Sequence, residues 1–283
     1  MTKTIPIRRR LVGEALRRYR EARAFTLEDA ARILDCDRSK ISRIETGDRG
    51  IQAAELMKLL NDYGVPAAQQ EVLHSIAWKR GAYGGWDDYR DVLPAALVEF
   101  LIIEAAASEI TVYQAQQVPA LLQTEDYARA IAAASPDVPV AWEDKIVESV
   151  LARQQLILTQ RESPVDVLIS EGAIRQPVGT RRVMRGQLAR LAHGAVNDPT
   201  VTIRIIPFSV RANAGLAIGS TTLLRLSDAM PDFGVVHLDG LAGGTFLDDP
   251  ASVEAYVGAL GRVRDSALSP PESAELIRAL SRE

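Results

Sequence analysis

The sequence predicts a small all-α N-terminal domain of about five helices followed by a larger α+β domain with a small sheet. Three observations lead there. The chain has 283 residues, room for two domains at roughly 100–200 residues each. Its content of 47% hydrophobic and 25% charged residues is that of a soluble globular protein, which excludes collagen-like, disordered and disulfide-scaffold classes. Apolar residues recur at helical spacing through the first 78 positions, and runs of period two begin only after position 164. The charge is divided along the same line. Residues 1–50 hold 13 Lys+Arg against 8 Asp+Glu, net +5, and the rest hold 20 against 29, net −9, which together give the whole-chain −4.

In the first helix Leu11, Ala15, Leu16 and Tyr19 form the apolar stripe. Arg8, Arg9, Arg10, Arg17, Arg18 and Arg20 fill most of the remainder, so its wet side is cationic. Arg17, Arg18 and Arg23 read as solvated charges. Thr26 opens a second helix as N-cap with Asp29 in the capping-box position, and Leu27, Ala30, Ala31 and Leu34 make its inner stripe. The turn Asp35-Cys36-Asp37 ends it. Asp37 caps a third helix, 38–46, in which Ile41 and Ile44 point inward. At 100° per residue Ser39, Ser42 and Arg43 point outward, with Arg38 and Lys40 on the flanks. Two short helices joined by a three-residue turn make a helix-turn-helix. Its outward face offers bidentate cations for guanine and hydroxyls for base edges or phosphate. Arg38, Ser39, Lys40 and Arg43 are therefore candidate DNA contacts. Thr26 and Arg49 are candidate phosphate contacts, Thr26 being equally well explained as a cap. Stretches 52–63 and 67–78 complete the five helices.

The run FTLEDAARILDCDRSKISRIETGDRGIQAAELMKLLNDYGV, residues 25–65, resembles the DNA-binding domain of the Xre family of phage-repressor-like regulators, most specifically in SKISRIETG at 39–47. The resemblance implies that the third helix lies in the major groove of double-stranded DNA. Arg38, Ser39 and Arg43 would then face base edges, with Asp37 and Lys40 beside them. It also implies a structural pair of Arg20 with Glu45, with Ala31, Ile41 and Ile44 holding the head together. Asp35 stands where such domains often have glycine, a position Asp tolerates better than most residues.

Residues 79–93, rich in glycine and aromatics, read as a linker between a head at 1–78 and a body at 94–283; Trp86 and Tyr89 could equally be staples packed on either domain. The body should contain helices at 94–110, at 125–134 behind a Thr124 cap, and at 140–159 with Trp142, Ile146, Val150 and Leu151 on the buried side. Strands follow at 165–170, 201–206, 220–226 and 235–238, with a helix at 181–195 between the first two. Helices at 250–265 and 270–281 close the chain, the last behind the capping box Ser269 to Glu272. The Gly84-Gly85 and Gly243-Gly244 pairs read as turns.

The body lacks a Walker loop, a GxGxxG helix opening and a GxSxG elbow, so the expectation is a non-enzyme without cofactor. Cys36 is the single cysteine, and His74, His193 and His237 are far apart, which leaves disulfide and metal sites unsupported and fits a reducing, cytoplasmic setting. The start MTKTIPIRRRL lacks an apolar signal core, and Glu99, Glu104 and Glu109 interrupt the most apolar stretch too soon for a membrane span.

Residues from about 80 to 281 are similar to a domain of unknown function that follows Xre-type heads in actinobacterial, antitoxin-like regulators. WDDYRDVLPAAL, YQAQQVPALLQTEDYARA, ISEGAIRQPVG, VTIRIIPF, LDDPASVEAY and ALSPPESAELI carry the similarity, and Asn213-Ala214 departs from it where relatives commonly have histidine. The similarity implies a transcription regulator, a homodimer in this reading, encoded near a small partner protein. The alternative is an antitoxin-like interaction module that sequesters a partner protein, with DNA binding secondary. Gln123, Tyr127, Glu171 and Arg175 form a candidate ligand or partner site. The competing account makes the first two packing and cap residues and the last two an i,i+4 surface pair. Arg181 and Arg182 behind Thr180 either hold an anion or form a solvated first turn.

Overall fold

The computed structural model describes residues 5–78, 85–160, 163–197, 199–226 and 233–282. The head consists of α1 (Ile7–Ala22), α2 (Leu27–Leu34), α3 (Arg38–Glu45), α4 (Ala53–Asp62) and α5 (Ala67–Trp78). Leu11, Leu16, Ile41, Ile44, Leu56, Leu59, Leu60, Leu73 and Ile76 are its fully buried anchors. Thr26 and Asp29 close the capping box of α2 as read from the sequence. Asp37 occupies the N-cap of α3 but makes no side-chain cap hydrogen bond, so its residue type alone misdescribes how that helix starts.

The 79–84 part of the expected linker lies outside the described residues, Gly84 included. Beyond it a 3-10 turn, Trp86–Tyr89, buries Trp86 and Tyr89, and Val92 and Leu93 follow them into a contiguous apolar cluster that includes both head and body residues.

The body is an α+β domain around a six-stranded sheet in the order β3-β2-β1-β4-β5-β6. Its elements are α6 (Ala95–Glu104), β1 (Glu109–Gln114), α7 (Glu125–Ala134), α8 (Glu143–Gln154), β2 (Val165–Ser170), α9 (Glu171–Arg175), α10 (Arg181–Asn197), β3 (Val201–Ile206), α11 (Gly215–Ile218), β4 (Thr221–Arg225), β5 (Gly234–Leu238), β6 (Thr245–Leu247), α12 (Pro250–Asp265) and α13 (Pro270–Leu280). β1, β2 and β3 are parallel, while β4, β5 and β6 continue antiparallel from β1. Both faces are covered. Val112, Val167 and Ile203 lie in register on the face shared with Leu188 and Leu191 of α10 and Ile277 of α13. Tyr113, Leu168, Leu223 and Val236 share the other face with Val253, Leu260 and Val263 of α12.

That double burial explains the main departure from the sequence reading. Residues 109 and 110, assigned to the end of a helix over 94–110, begin a strand, 109–114, at the parallel–antiparallel junction that the sequence reading did not place, and the helix stops at Glu104. A strand buried on both sides loses the alternating pattern that marks a half-exposed one. The stretch 140–159 also divides, into a 3-10 turn at Val140–Trp142, α8, and a π turn at Gln155–Thr159. Its buried positions are Val147, Ser149, Gln154, Leu156 and Ile157. Trp142, expected inside, is 39% exposed, and Ile146, Val150 and Leu151 are only half-buried. Trp142 belongs to the 3-10 turn ahead of α8, so the helical period that put it on the buried stripe does not reach it.

Candidate nucleic-acid interface

The local chemistry of α2 and α3 sets the geometry of the exposed face. Thr26 has extended backbone; its hydroxyl accepts from the Asp29 amide at 3.1 Å, and Asp29 Oδ2 accepts from the Thr26 amide and hydroxyl, both at 2.7 Å. Asp35 ends α2 at φ +49°, in the left-handed region, and lets the chain reverse into α3. α3 then packs Ile41 and Ile44 inward, near the buried Ala30 and Ala31.

Arg38, Ser39 and Arg43 are exposed on the opposite side. Arg38 lies 3.1 Å from Glu28, both side chains being more than half exposed, and Arg43 Nε donates to the Ser39 carbonyl of its own helix at 3.2 Å. Both cations can swing to a ligand at small cost, because exposed pairs contribute only about 0–1 kcal/mol. Lys40 differs: its ammonium is bonded to Glu55 of α4, and the pair is largely enclosed. The hydrogen bond from Lys40 holds the Glu55 carboxyl below the usual carboxylate range, against the opposing effect of burial. Lys40 therefore ties α3 to α4 in this state. Arg49 is exposed just past α3, its amide bonded to the Arg43 carbonyl at 2.8 Å.

Two devices hold α3 against α1. Arg20 Nε and Nη2 donate to the two Glu45 oxygens at 2.7 and 2.8 Å, and Nη1 donates to the Phe25 carbonyl at 2.8 Å. Both side chains are buried, at 9% and 6% exposure. The hydrogen bond to Glu45 raises the Arg20 guanidinium above its usual value despite burial. The second device is Gly13, where the helices approach so closely that a Cβ would meet the Ile44 carbonyl oxygen at 2.5 Å and the Glu45 carbonyl oxygen at 2.6 Å.

Part of the cationic side of α1 serves the body rather than solvent. Arg8 makes a two-point bridge to Glu99 of α6, at 3.0 and 2.7 Å, and Arg10 reaches Asp248, just after β6, at 3.0 Å. Burial pushes the Asp248 carboxyl up, although Arg10 opposes this. A cleft of about 510 Å³ at this junction is lined by Arg8, Arg9, Arg49, Arg90, Glu99 and Gly50, among others. These bridges depend on tertiary folding, and no spacing in the sequence announces them.

The four body residues singled out from the sequence lie in two pairs. Gln123 Nε2 donates to the Val118 carbonyl at 2.8 Å, and the Tyr127 hydroxyl accepts from the Val118 amide at 3.2 Å, so these two meet around one buried peptide segment. Arg175 Nε donates to Glu171 Oε1 at 2.7 Å, while Glu171 Oε2 accepts from the Phe208 amide. Arg182 lies 3.2 Å from Asp126, and Thr180 caps the following turn through Val183. A larger cavity, about 1010 Å³, lies elsewhere in the body, and its lining includes Gln114, His237 and Asp239. Gln114 and Asp239 were not distinguished in the sequence, because tertiary pairing brings them together from positions 125 residues apart.

Residues 11–73 match a helix-turn-helix domain, and residues 97–279 match a domain of unknown function, DUF5753. No curated protein matches the chain. No solved structure matches it either. Among the described residues, no helix is long and apolar enough to cross a membrane. Since the second match spans well over half of the chain, the protein belongs to the DUF5753 family, with a helix-turn-helix domain of the DNA-binding regulator type in front of it.

Proposed function

We propose that the protein is a sequence-specific, double-stranded-DNA-binding transcription regulator of the Xre type. Its third helix enters the major groove, and its body dimerises and carries control by a small partner protein or ligand. The observation that carries this reading is the face of α3: Arg38, Ser39 and Arg43 are exposed together on a helix whose other side is locked by Ile41, Ile44 and the Arg20–Glu45 bridge. Arg38 and Arg43 supply groups suited to bidentate contact with guanine, and Ser39 supplies a hydroxyl. Arg9 and Arg49, which make no ion pair among the described residues, flank this helix as phosphate contacts. One short helix reads too few base pairs for a unique site, so two heads reading half-sites about 34–36 Å apart complete the proposal. Control reaches the head through Arg8–Glu99 and Arg10–Asp248, the ion pairs that join α1 to the body.

The test is selection of a bound duplex from a random library, followed by titration at several salt concentrations. Two arginine–phosphate contacts per head should make log affinity fall with log salt at a slope of about −2 per head. Arg43→Ala should cost about 1–3 kcal/mol at its cognate base step and relax preference there. Failure to select a sequence, or a flat salt response, would favour the interaction-module reading.

A further inference from the structure

The cavity of about 1010 Å³ in the body opens at the carboxyl ends of β1 and β5, beside the junction where the sheet changes from parallel to antiparallel. The strand order also reverses at β1, and crevices outside the carboxyl ends of strands at such points are common ligand sites in open α/β sheets. One wall is polar and contains an unmet hydrogen-bonding group. His237 is 3% exposed, and its ring lies against Phe100 and Phe246, with centroids 4.3 and 5.0 Å away. Its Nε2 donates to the Gly243 carbonyl at 2.8 Å, a contact fixed by the Gly243-Gly244 turn at φ +92° and +86°. A side chain at Gly244 would collide with this imidazole, its Cβ meeting Nε2 at 2.3 Å.

With Nε2 carrying the proton, Nδ1 of the neutral ring presents a lone pair. That atom is buried without a hydrogen-bond partner, 3.4 Å from Asp239 Oδ1. The other Asp239 oxygen accepts from Gln114 Nε2 at 2.6 Å. Two acceptors thus face each other with no donor between them.

The other walls are apolar, formed by Leu97, Val138, Ile146 and the exposed Trp142 and Leu241. The described lining residues include Asp91, Asp137 and Asp239 but no lysine or arginine. Asp91 is bound by Lys145 and Asp239 lies 3.4 Å from the His237 imidazole, so the described lining carries carboxylates and no permanent cation.

We propose that this cavity binds a small primary amine carried on an apolar or aromatic body, with the ammonium donating to His237 Nδ1 and Asp239. An ammonium has three donors and no acceptor, which suits a pair of acceptors, and the apolar body removes Trp142 and Leu241 from water. The site deepens the regulator reading by giving its control domain a ligand class. Its test uses no DNA, so either idea can fail alone.

Phenethylamine, 2-phenylethanol and phenylacetate share one apolar body and differ in charge. Each is titrated into the full-length protein by calorimetry, with ligand-observed NMR as a second readout. Saturable one-to-one binding of phenethylamine, about tenfold or more tighter than the alcohol, with the acid failing to bind, is the expected result. Asp239→Asn should remove most of the preference for amine over alcohol, and Trp142→Ala should weaken both. Absence of amine binding, equal binding of all three probes, or an unchanged preference in a folded Asp239→Asn protein would overturn the proposal. The comparison of probes on the unaltered chain stands even if a variant does not fold.

Discussion

A glycine-to-alanine change inside a helix should have opposite signs at two positions of this protein. In an exposed helix interior, alanine is favoured by about 0.8–1.0 kcal/mol, because glycine loses more backbone freedom on folding. Gly186 meets that condition: it is exposed in the middle of α10, and a Cβ there meets nothing within 4 Å. Gly186→Ala should therefore stabilise the protein by about 0.8–1.0 kcal/mol. At Gly13 the same methyl would sit 2.5 Å from the Ile44 carbonyl oxygen, 0.9 Å short of the 3.4 Å where ordinary contact begins. The obstructing atoms are backbone, so no rotamer change relieves the clash and α1 must part from α3. Overpacking typically costs about 1–3 kcal/mol, and more where the backbone must move, which exceeds the propensity gain and leaves Gly13→Ala destabilised by about 1–2 kcal/mol. Urea denaturation followed by circular dichroism gives the net sign, and hydrogen exchange of α1 and α3 peptides locates the effect. Weakened DNA binding should accompany it, since the displaced element is the proposed reading helix. A Gly13→Ala protein as stable as the parent, or stabilised like Gly186→Ala, would refute the close-approach argument.

Arg20→Met should cost about 3–5 kcal/mol by leaving Glu45 buried without its partner, whereas the apolar pair Arg20→Met/Glu45→Leu should recover most of that loss in a denaturation cycle. Tyr63→Phe should raise stability by about 1 kcal/mol in the same assay, because the Tyr63 hydroxyl is buried without a hydrogen-bond partner. Acid unfolding should report the capping boxes. Hydrogen bonds from Thr26 to Asp29 and from Ser269 to Glu272 hold those carboxyls below their unfolded values of 3.8 and 4.5. Their contribution is therefore complete above those values and is lost as pH falls through the lower folded ones. Thr26→Ala should flatten the stability-against-pH curve below about pH 4 relative to the parent chain.

The contrast between head and body shows which kinds of physics a sequence exposes. α2 and α3 could be read from the sequence because their determinants are local: a hydroxyl and a carboxylate three residues apart, and apolar positions at 3.6-residue spacing. β2 and β3 were legible as Val/Ile runs between helices. β1 was not, because a strand covered on both faces continues the apolar run of α6 without a change of period. The polar wall around His237 was hidden for a different reason. Gln114 and Asp239 are 125 residues apart and meet only because the β1–β4–β5 pairing aligns their strand ends. The π turn after α8 and the outward Trp142 are likewise products of packing.

The charge division acquires a finer meaning once partners are assigned. The net +5 of residues 1–50 suggests a broadly cationic head, yet four of its cations already have enclosed or interdomain partners: Arg20 with Glu45, Lys40 with Glu55, Arg8 with Glu99 and Arg10 with Asp248. Two of those carboxylates belong to the acidic body. The body thus neutralises the end of α1 that would otherwise attract any polyanion, while Arg38 and Arg43 remain on the exposed face of α3 with Arg49 just beyond it. Nonspecific attraction scales with all available positive charge, whereas base recognition needs only the groups that reach the groove. Drawing Arg8 and Arg10 into the body therefore lowers the first quantity without touching the second. It also makes the availability of those two arginines depend on how firmly the body holds α1, which is the physical form that control of this head by its body would take.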